Sequence, residues 1–226
     1  MKPTLFLFLY SLTTCIWGQS GTITMELDAF NEVKGFDGIS IELIRSTENK
    51  AEISGANTSK VAIVNNRGVL KIRMTIDKIF SGYRTFVKLY HTQDLTIIDV
   101  NEDAQIYSND ILEQNILDVR AQESGELKLN CQVEQLLAKA VTGGMITLNG
   151  FTNNQDISIN TGGTFNGNTF KSKFTTVKVN AGGNAAIYAT NYVKADVKAG
   201  GTVKVYGDPK KMDEKTVFGG TIQRVE

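Results

Sequence analysis

The chain of 226 residues has few of the residue types that support the commonest cross-links and catalytic sites, with 2 cysteines, 2 prolines, 1 histidine and 1 tryptophan. Cys15 lies in an apolar N-terminal segment, so Cys131 is the one cysteine left if that segment is removed, which excludes an intramolecular disulfide. The single histidine, His91, lies in an alternating segment typical of a strand and is expected to be a packed or surface residue. A Ser-His-Asp hydrolase is disfavoured because no nucleophile motif accompanies this histidine.

The sequence also has no excess of positive or negative charge. The 24 basic residues equal the 24 acidic ones, and no run of like charge marks a nucleic-acid or anionic-membrane partner. The electrostatics of the sequence therefore nominate no partner, and we expect no nucleic-acid binding.

The N-terminus begins with the basic Lys2 and continues with an apolar segment at residues 5–17 before Gly18. This segment is shorter than the roughly 18–20 apolar residues of a membrane span, so we interpret residues 1–19 as a secretory signal peptide. Residues 12–15, Leu-Thr-Thr-Cys, leave a lipobox ending at Cys15 as an alternative, although Thr14 is bulkier than usual there. The protein is therefore expected in the periplasm, on the outer-membrane surface or in the medium, without a transmembrane segment in the mature chain.

Glycine is the residue that recurs with a period. Pairs begin at Gly143, Gly162, Gly182, Gly200 and Gly219, at intervals of 18 to 20 residues, and a further step back reaches Ser124-Gly125. Apolar residues recur five and three positions before most of these points, and three and five positions after them. Because alternate residues of a strand share a face, each unit predicts a strand, a sharp corner and a second strand.

The repeat predicts an all-β fold, a parallel β-helix (β-solenoid) with about 19 residues per turn. We assign residues 102–226 to the Gly-pair β-helix, with a polar C-terminal cap that begins at Asp208-Pro209. Residues 20–101 lack the glycine period but keep strand signals, with a hairpin expected at Asn65 to Gly68. They are interpreted as an irregular N-terminal β section continuous with the solenoid.

No catalytic, cofactor-binding or metal-binding residue is nominated. Asp99, Asn101 and Asp103 imitate the start of a calcium loop, but Ala104 replaces the glycine that its sharp turn requires. Polysaccharide-cleaving β-helices need clustered carboxylates, or carboxylates with Lys, Arg or calcium, on one face of adjacent turns. The acids between residues 125 and 205 are predicted to lie far apart in turn position; they are Glu126, Glu134, Asp156 and Asp196. We therefore expect no enzyme, no cofactor and no metal.

Recognition by the outer surface is the remaining functional class. The segment at residues 160–176 offers polar groups suited to a glycan or a peptide edge, the alternative being that they are simply solvated. These residues are Thr161, Thr164, Asn166, Asn168, Thr169 and Thr175.

Four segments resemble the family of "putative auto-transporter adhesin" head domains, also called head GIN domains: FNEVKGFDGISIELIRSTENKAEISGA, GVLKIRMTI, VKLYHTQDLTIIDVNEDAQIYS and the ending AGGTVKVYGDPKKMDEKTVFGGTIQRV. The most specific part is the ending, with Tyr206-Gly207, Pro209, Lys210-Lys211 and the final Gly219-Gly220 motif. The likeness covers roughly residues 28 to 226.

The resemblance implies a right-handed β-helix in an exported bacterial protein, with an adhesin-like role and no catalytic residues to carry over. We therefore predict a non-enzymatic exported structural or interaction domain, whose partner is a glycan or protein of the cell surface or envelope. A polysaccharide-binding or polysaccharide-cleaving β-helix protein is the alternative.

Overall fold

The computed structural model describes residues 21–225. The signal peptide predicted at residues 1–19 and the lipobox at Cys15 lie outside the described residues. About 67% of the chain is strand and 3% is helix, and the strands form a β-solenoid of about 7 turns with about 19 residues per turn. The predicted all-β solenoid is confirmed. The described residues contain no helix that could span a bilayer.

In chain order the strands are β1 (Ile23–Glu26), β2 (Glu32–Gly35), β3 (Ser40–Arg45), β4 (Lys50–Gly55), β5 (Val61–Asn66), β6 (Val69–Met74), β7 (Thr85–His91), β8 (Ile97–Val100), β9 (Gln105–Ala121), β10 (Glu126–Ala140), β11 (Met145–Ile159), β12 (Thr164–Asn180), β13 (Asn184–Lys198), β14 (Thr202–Tyr206), β15 (Lys211–Val217) and β16 (Thr221–Arg224). Two short 3₁₀ turns, Thr58–Lys60 and Ile76–Lys78, flank β5 and β6.

The five long strands β9 to β13 each contain 15 to 17 residues and pair in parallel with the next strand in sequence. Equivalent residues of successive turns are therefore directly opposite each other. Ile159 pairs with Val179, and Val179 pairs with Val197, and all three side chains are buried. The predicted columns of small aliphatic side chains along the solenoid axis are confirmed.

The two glycines of the pair Gly143-Gly144 have different roles. Gly143 has φ +75°, following Thr142 at φ +49°, and an added Cβ would reach only Ser124 Oγ at 3.4 Å. Gly144 does not have positive φ, but an added Cβ would fall on the carbonyl oxygen of Ala121 in the turn below. The first glycine therefore supplies the left-handed turn and the second allows close approach of the backbone.

Successive corners are joined by backbone hydrogen bonds. Ser124 N donates to Thr142 O at 3.1 Å, and Gly143 N donates to Thr161 O at 3.1 Å. The corners thus form a hydrogen-bonded column of their own, which aligns the turns.

Solenoid stacking begins before the glycine repeat. β2 and β3 flank a corner at Asp37-Gly38, whose φ values are +61° and +74°, and Gly38 N donates to Glu102 O at 2.8 Å. β3 stacks on β9, and β2 stacks on β8. The irregular N-terminal section therefore contains a turn of the regular type, which the glycine period did not identify.

Antiparallel pairs cover the N-terminal end of the stack. β4 pairs antiparallel with β7 and with β1, and β5 pairs antiparallel with β6. The hairpin predicted at Asn65 to Gly68 is confirmed by the last of these pairs, with Arg67 at φ +54° in its turn.

At the C-terminal end β15 stays in register with β13. Glu214 and Thr216, opposite the buried Ala195 and Val197, are exposed. The last turn thus continues the backbone ladder while presenting polar side chains.

A polar cluster interrupts the aliphatic columns of the core between β11 and β13. Gln155 Nε2 donates to Ser172 Oγ at 3.1 Å and to Thr175 Oγ1 at 2.8 Å, and Ser172 Oγ donates to Tyr188 O at 2.7 Å. Thr175 is only 1% exposed, so its assignment to the outer polar surface was wrong. The buried alternation changes phase between Ser172 and Thr175, where the strand pairing shifts register, and this turns Thr175 inward.

Candidate functional site

A polar groove of about 540 Å³ runs across the outer side of the first three long strands. Its outward side chains come from the strand segment that follows each corner. Tyr107, Lys128 and Thr147 occupy equivalent positions in β9, β10 and β11 and form one row. The groove is also lined by Asn109, Asn130 and Met145.

Side chains beside the polar groove are linked across turns. Asn149 Nδ2 donates to Asn130 Oδ1 at 3.3 Å, and Thr169 Oγ1 donates to Asn149 Oδ1 at 2.5 Å. The register of the parallel strands forces this alignment because Asn130 pairs with Asn149 and Asn149 with Thr169. Amides and hydroxyls are thus held at the spacing between strands, about 4.8 Å. Such a row can donate and accept hydrogen bonds at regular steps along an extended ligand.

Tyr107 supplies the aromatic surface of this groove. Burial raises the pKa of Tyr107, and the negative charge of Glu42 contributes to the same shift. Glu42 also accepts a hydrogen bond from Asn109 Nδ2 at 2.9 Å. The phenol therefore stays protonated and can donate a hydrogen bond, while its ring offers an apolar face.

A charged groove of about 550 Å³ lies on another outer side of the stack. Asp118, Arg120, Lys139, Asp156 and Lys178 line it. The Arg120 guanidinium binds both carboxylate oxygens of Asp118, at 3.0 and 2.6 Å, and this pairing raises the pKa of Arg120. Asp118 and Asp156 are separated by Leu137 in the same column, about 10 Å apart along the stack.

The residues considered from the sequence are not brought together into a catalytic or metal site. The four carboxylates Glu126, Glu134, Asp156 and Asp196 lie in four different columns of the described part of the chain. Asp118 lies before residue 125 and shares a column with Asp156.

Asp99 belongs to an internal polar cluster. It is 5% exposed, pairs with Lys34 at 3.3 Å and accepts hydrogen bonds from Asn101 and Gln122 at 3.1 Å each. Asp103 accepts the hydroxyl of Tyr83 at 3.0 Å instead. Between residues 21 and 225 no group of three or more His, Cys, Asp or Glu side chains could hold a metal ion.

The fold places the polar residues of segment 160–176 in different positions on the solenoid. Thr164 and Asn166 point outward on β12, above the polar groove, and Asn166 Nδ2 approaches Thr147 Oγ1 at 3.5 Å. Thr161 lies in a corner, and Asn168 and Thr169 are exposed beyond it. Sequence reasoning missed Tyr107, Lys128 and Asn130, which the 19-residue period itself places in adjacent turns.

His91 and Cys131 are core residues. The His91 ring is 1% exposed; Nδ1 lies 2.8 Å from Gln93 O, and Nε2 has no hydrogen-bond partner among the described residues. Burial lowers the pKa of His91, outweighing the hydrogen bond to Gln93. Burial likewise raises the pKa of the Cys131 thiol to about 12. Neither side chain is presented to a ligand.

Comparison with known proteins matches the chain to one family. The family model described as "Putative auto-transporter adhesin, head GIN domain" matches residues 29–209. No functionally curated protein matches the chain significantly.

Three solved structures share the fold. A "putative adhesin" from Bacteroides fragilis NCTC 9343 has a TM-score of 0.82 at 16% identity, covering 90% of this chain and 96% of its own. A "putative adhesin" from Parabacteroides distasonis ATCC 8503 has a TM-score of 0.72 at 19% identity, covering 91% of this chain and 96% of its own. A "Putative lipid binding protein" from the same organism has a TM-score of 0.69 at 14% identity, with the same coverages of 91% and 96%.

Proposed function

The chain belongs to the family described as "Putative auto-transporter adhesin, head GIN domain", and on that premise we propose that it is a non-enzymatic, exported interaction module that binds an extended glycan along its polar groove. The two neighbours named as adhesins support an adhesin-like role facing outward from the cell.

The observation that carries the glycan proposal is the row of hydrogen-bonding side chains across adjacent turns, in which the uncharged Asn130 and Thr147 lie beside Lys128. A neutral sugar chain presents hydroxyl groups at regular intervals and needs partners that both donate and accept. Asn130 and Thr147 supply these partners, and Tyr107 supplies an apolar ring face at the end of the row. Such a site binds by many weak contacts on a preformed surface, which needs no catalytic group.

The experiment is a glycan array followed by affinity measurement on the best glycan. Asn130→Ala is expected to weaken binding about two- to twelvefold, since a net hydrogen bond contributes about 0.5–1.5 kcal/mol. Asn160→Ala is the matched control: Asn160 Oδ1 accepts from Asn180 Nδ2 at 2.9 Å, as Asn130 accepts from Asn149, but outside the polar groove. An array without a binding glycan, or equal losses in the two variants, would contradict the proposal.

The charged groove favours a second candidate, a polysaccharide-cleaving β-helix. It is the surface that places carboxylates beside Lys139 and Lys178 on adjacent turns. We rank it second because the Asp118 carboxylate is already bound at both oxygens by Arg120. Incubation with neutral and acidic polysaccharides, with reducing ends and unsaturated products measured, distinguishes the two. Cleavage that is lost in Asp156→Asn would establish the enzyme.

A further inference from the structure

The loop between β6 and β7 displays apolar side chains to solvent. The fractional exposures are 90% for Ile76, 53% for Ile79, 56% for Phe80 and 59% for Tyr83. We define these four residues as the apolar loop. Contiguous exposed apolar groups of this kind are uncommon on a soluble protein and mark interaction surfaces.

The apolar loop is held in place by hydrogen bonds that its backbone donates to the solenoid corner below it. The carboxylate of Asp37, only 3% exposed, accepts from Met74 N at 3.0 Å and from Phe80 N at 3.1 Å. Tyr83 is fixed at the other side through its hydroxyl on Asp103. Phe80 keeps φ +56°, a conformation that costs an L-residue about 1–2 kcal/mol. The structure thus braces the loop in a form that points its aliphatic side chains outward.

Basic side chains lie beside the apolar loop. Lys71 and Arg73 line the same groove of about 400 Å³ as Ile76, Ile79 and Phe80. Lys78 and Arg84 lie within the loop segment itself. None of these four basic residues forms an ion pair with another residue between 21 and 225.

The acidic groups near the loop form no ion pair with these four basic residues. Asp77 is paired with Lys60 at 2.7 Å, and Asp37 is occupied by the two backbone amides. Glu102 also lines the groove; burial, followed by the charges of Asp37 and Glu123, raises its pKa.

We propose that the apolar loop inserts into the headgroup region of an anionic lipid surface, with Lys71 and Arg73 contacting the lipid headgroups. Projecting isoleucine and phenylalanine side chains with Lys71 and Arg73 beside them suit the boundary between headgroups and acyl chains. A glycan would not use the two isoleucines, and the polar groove stays free for the function proposed above. The sequence shows no run of like charge here because Lys71 and Arg73 alternate with inward residues on β6 and reach one surface only through folding.

The test places an environment-sensitive fluorophore on the loop. In a Cys15→Ser background, Ile76→Cys is labelled, and Phe218→Cys is the matched control, since Phe218 is also 90% exposed but lies in the last corner of the solenoid. Buried Cys131 stays unlabelled in the folded protein. With phosphatidylcholine vesicles containing phosphatidylglycerol, the label at 76 is expected to shift to the blue with a several-fold rise in emission, and the label at 218 to stay unchanged. Equal responses at both positions, or none at 76, would overturn the proposal.

Charge variants test the role of the cations. In the protein labelled at 76, Lys71→Gln with Arg73→Gln is expected to weaken vesicle partitioning about thirtyfold, because each basic residue near an anionic surface contributes about 1 kcal/mol. Lys178→Gln with Lys194→Gln, on β12 and β13 and outside the groove of the apolar loop, is expected to change it less than twofold. Circular dichroism checks that both pairs fold. Unchanged partitioning in the first pair, or equal response to vesicles of phosphatidylcholine alone, would overturn the assignment to an anionic lipid surface.

Discussion

Replacing Gly144 by alanine is expected to destabilise the protein by about 3–5 kcal/mol. The added Cβ would fall on the carbonyl oxygen of Ala121, which accepts the backbone hydrogen bond of Val141 N at 3.0 Å. The two turns must therefore move apart, which weakens this bond and the one from Met145 N to Gly125 O at 2.9 Å. Each such bond contributes about 1 kcal/mol, and leaving its buried groups unpaired costs about 1–3 kcal/mol.

Gly143→Ala is the matched control for this variant. The left-handed conformation costs alanine about 1–2 kcal/mol, and the stiffer unfolded chain offsets about 0.4–1 kcal/mol of it. We expect a net loss of about 0.5–1 kcal/mol, since the added Cβ contacts only Ser124 Oγ at 3.4 Å. Guanidinium unfolding followed by circular dichroism measures both. Equal losses, or a larger loss for Gly143→Ala, would refute the division of roles between the two glycines.

Three further predictions concern single positions. Ser124→Gly is expected to stabilise the protein by about 0.5–1 kcal/mol, because Ser124 has φ +62° at a corner; a loss in guanidinium unfolding would contradict this. His91 has a lowered pKa in the folded protein, so the unfolded chain takes up a proton first, and stability should fall as the pH drops below about 6.5, by at most about 1.4 kcal/mol per pH unit. His91→Leu should flatten that slope in denaturant titrations, and an unchanged slope would assign it to other groups. The Cys131 thiol, with its pKa raised to about 12, should react with a thiol reagent only at the rate of unfolding, whereas rapid modification of the native protein would show that its turn is open.

The solenoid could be predicted from the sequence because its two local requirements recur with the same period. Every corner from Ser124-Gly125 onward has a glycine such as Gly144 where the backbones approach, and the strands have inward aliphatic residues beside it, as at Ile157 and Ile159. The turn at Asp37-Gly38 could not be found in this way. It has no second glycine, and it stacks on a corner 65 residues later in the chain, beyond the excursion that forms the antiparallel cap.

The candidate sites were harder to predict than the fold. Strand alternation predicts side-chain direction only as far as the next bend, and no glycine marks the bend between Ser172 and Thr175. Thr175 was therefore assigned to the surface although it lies in the core. The polar groove combines Tyr107 with Lys128 from separate turns, so its surface exists only once the turns are stacked. The apolar loop depends on Asp37, whose carboxylate meets the loop only in the folded chain.

Glycan recognition by the polar groove is tested most directly by a nitrogen-15 correlation spectrum recorded while the best glycan from the array is added. The account predicts that the largest amide shift changes occur at Tyr107, Lys128, Asn130 and Thr147, in three adjacent turns of one outer side. Largest changes around Asp156 in the charged groove, or a spectrum that no glycan alters, would contradict it.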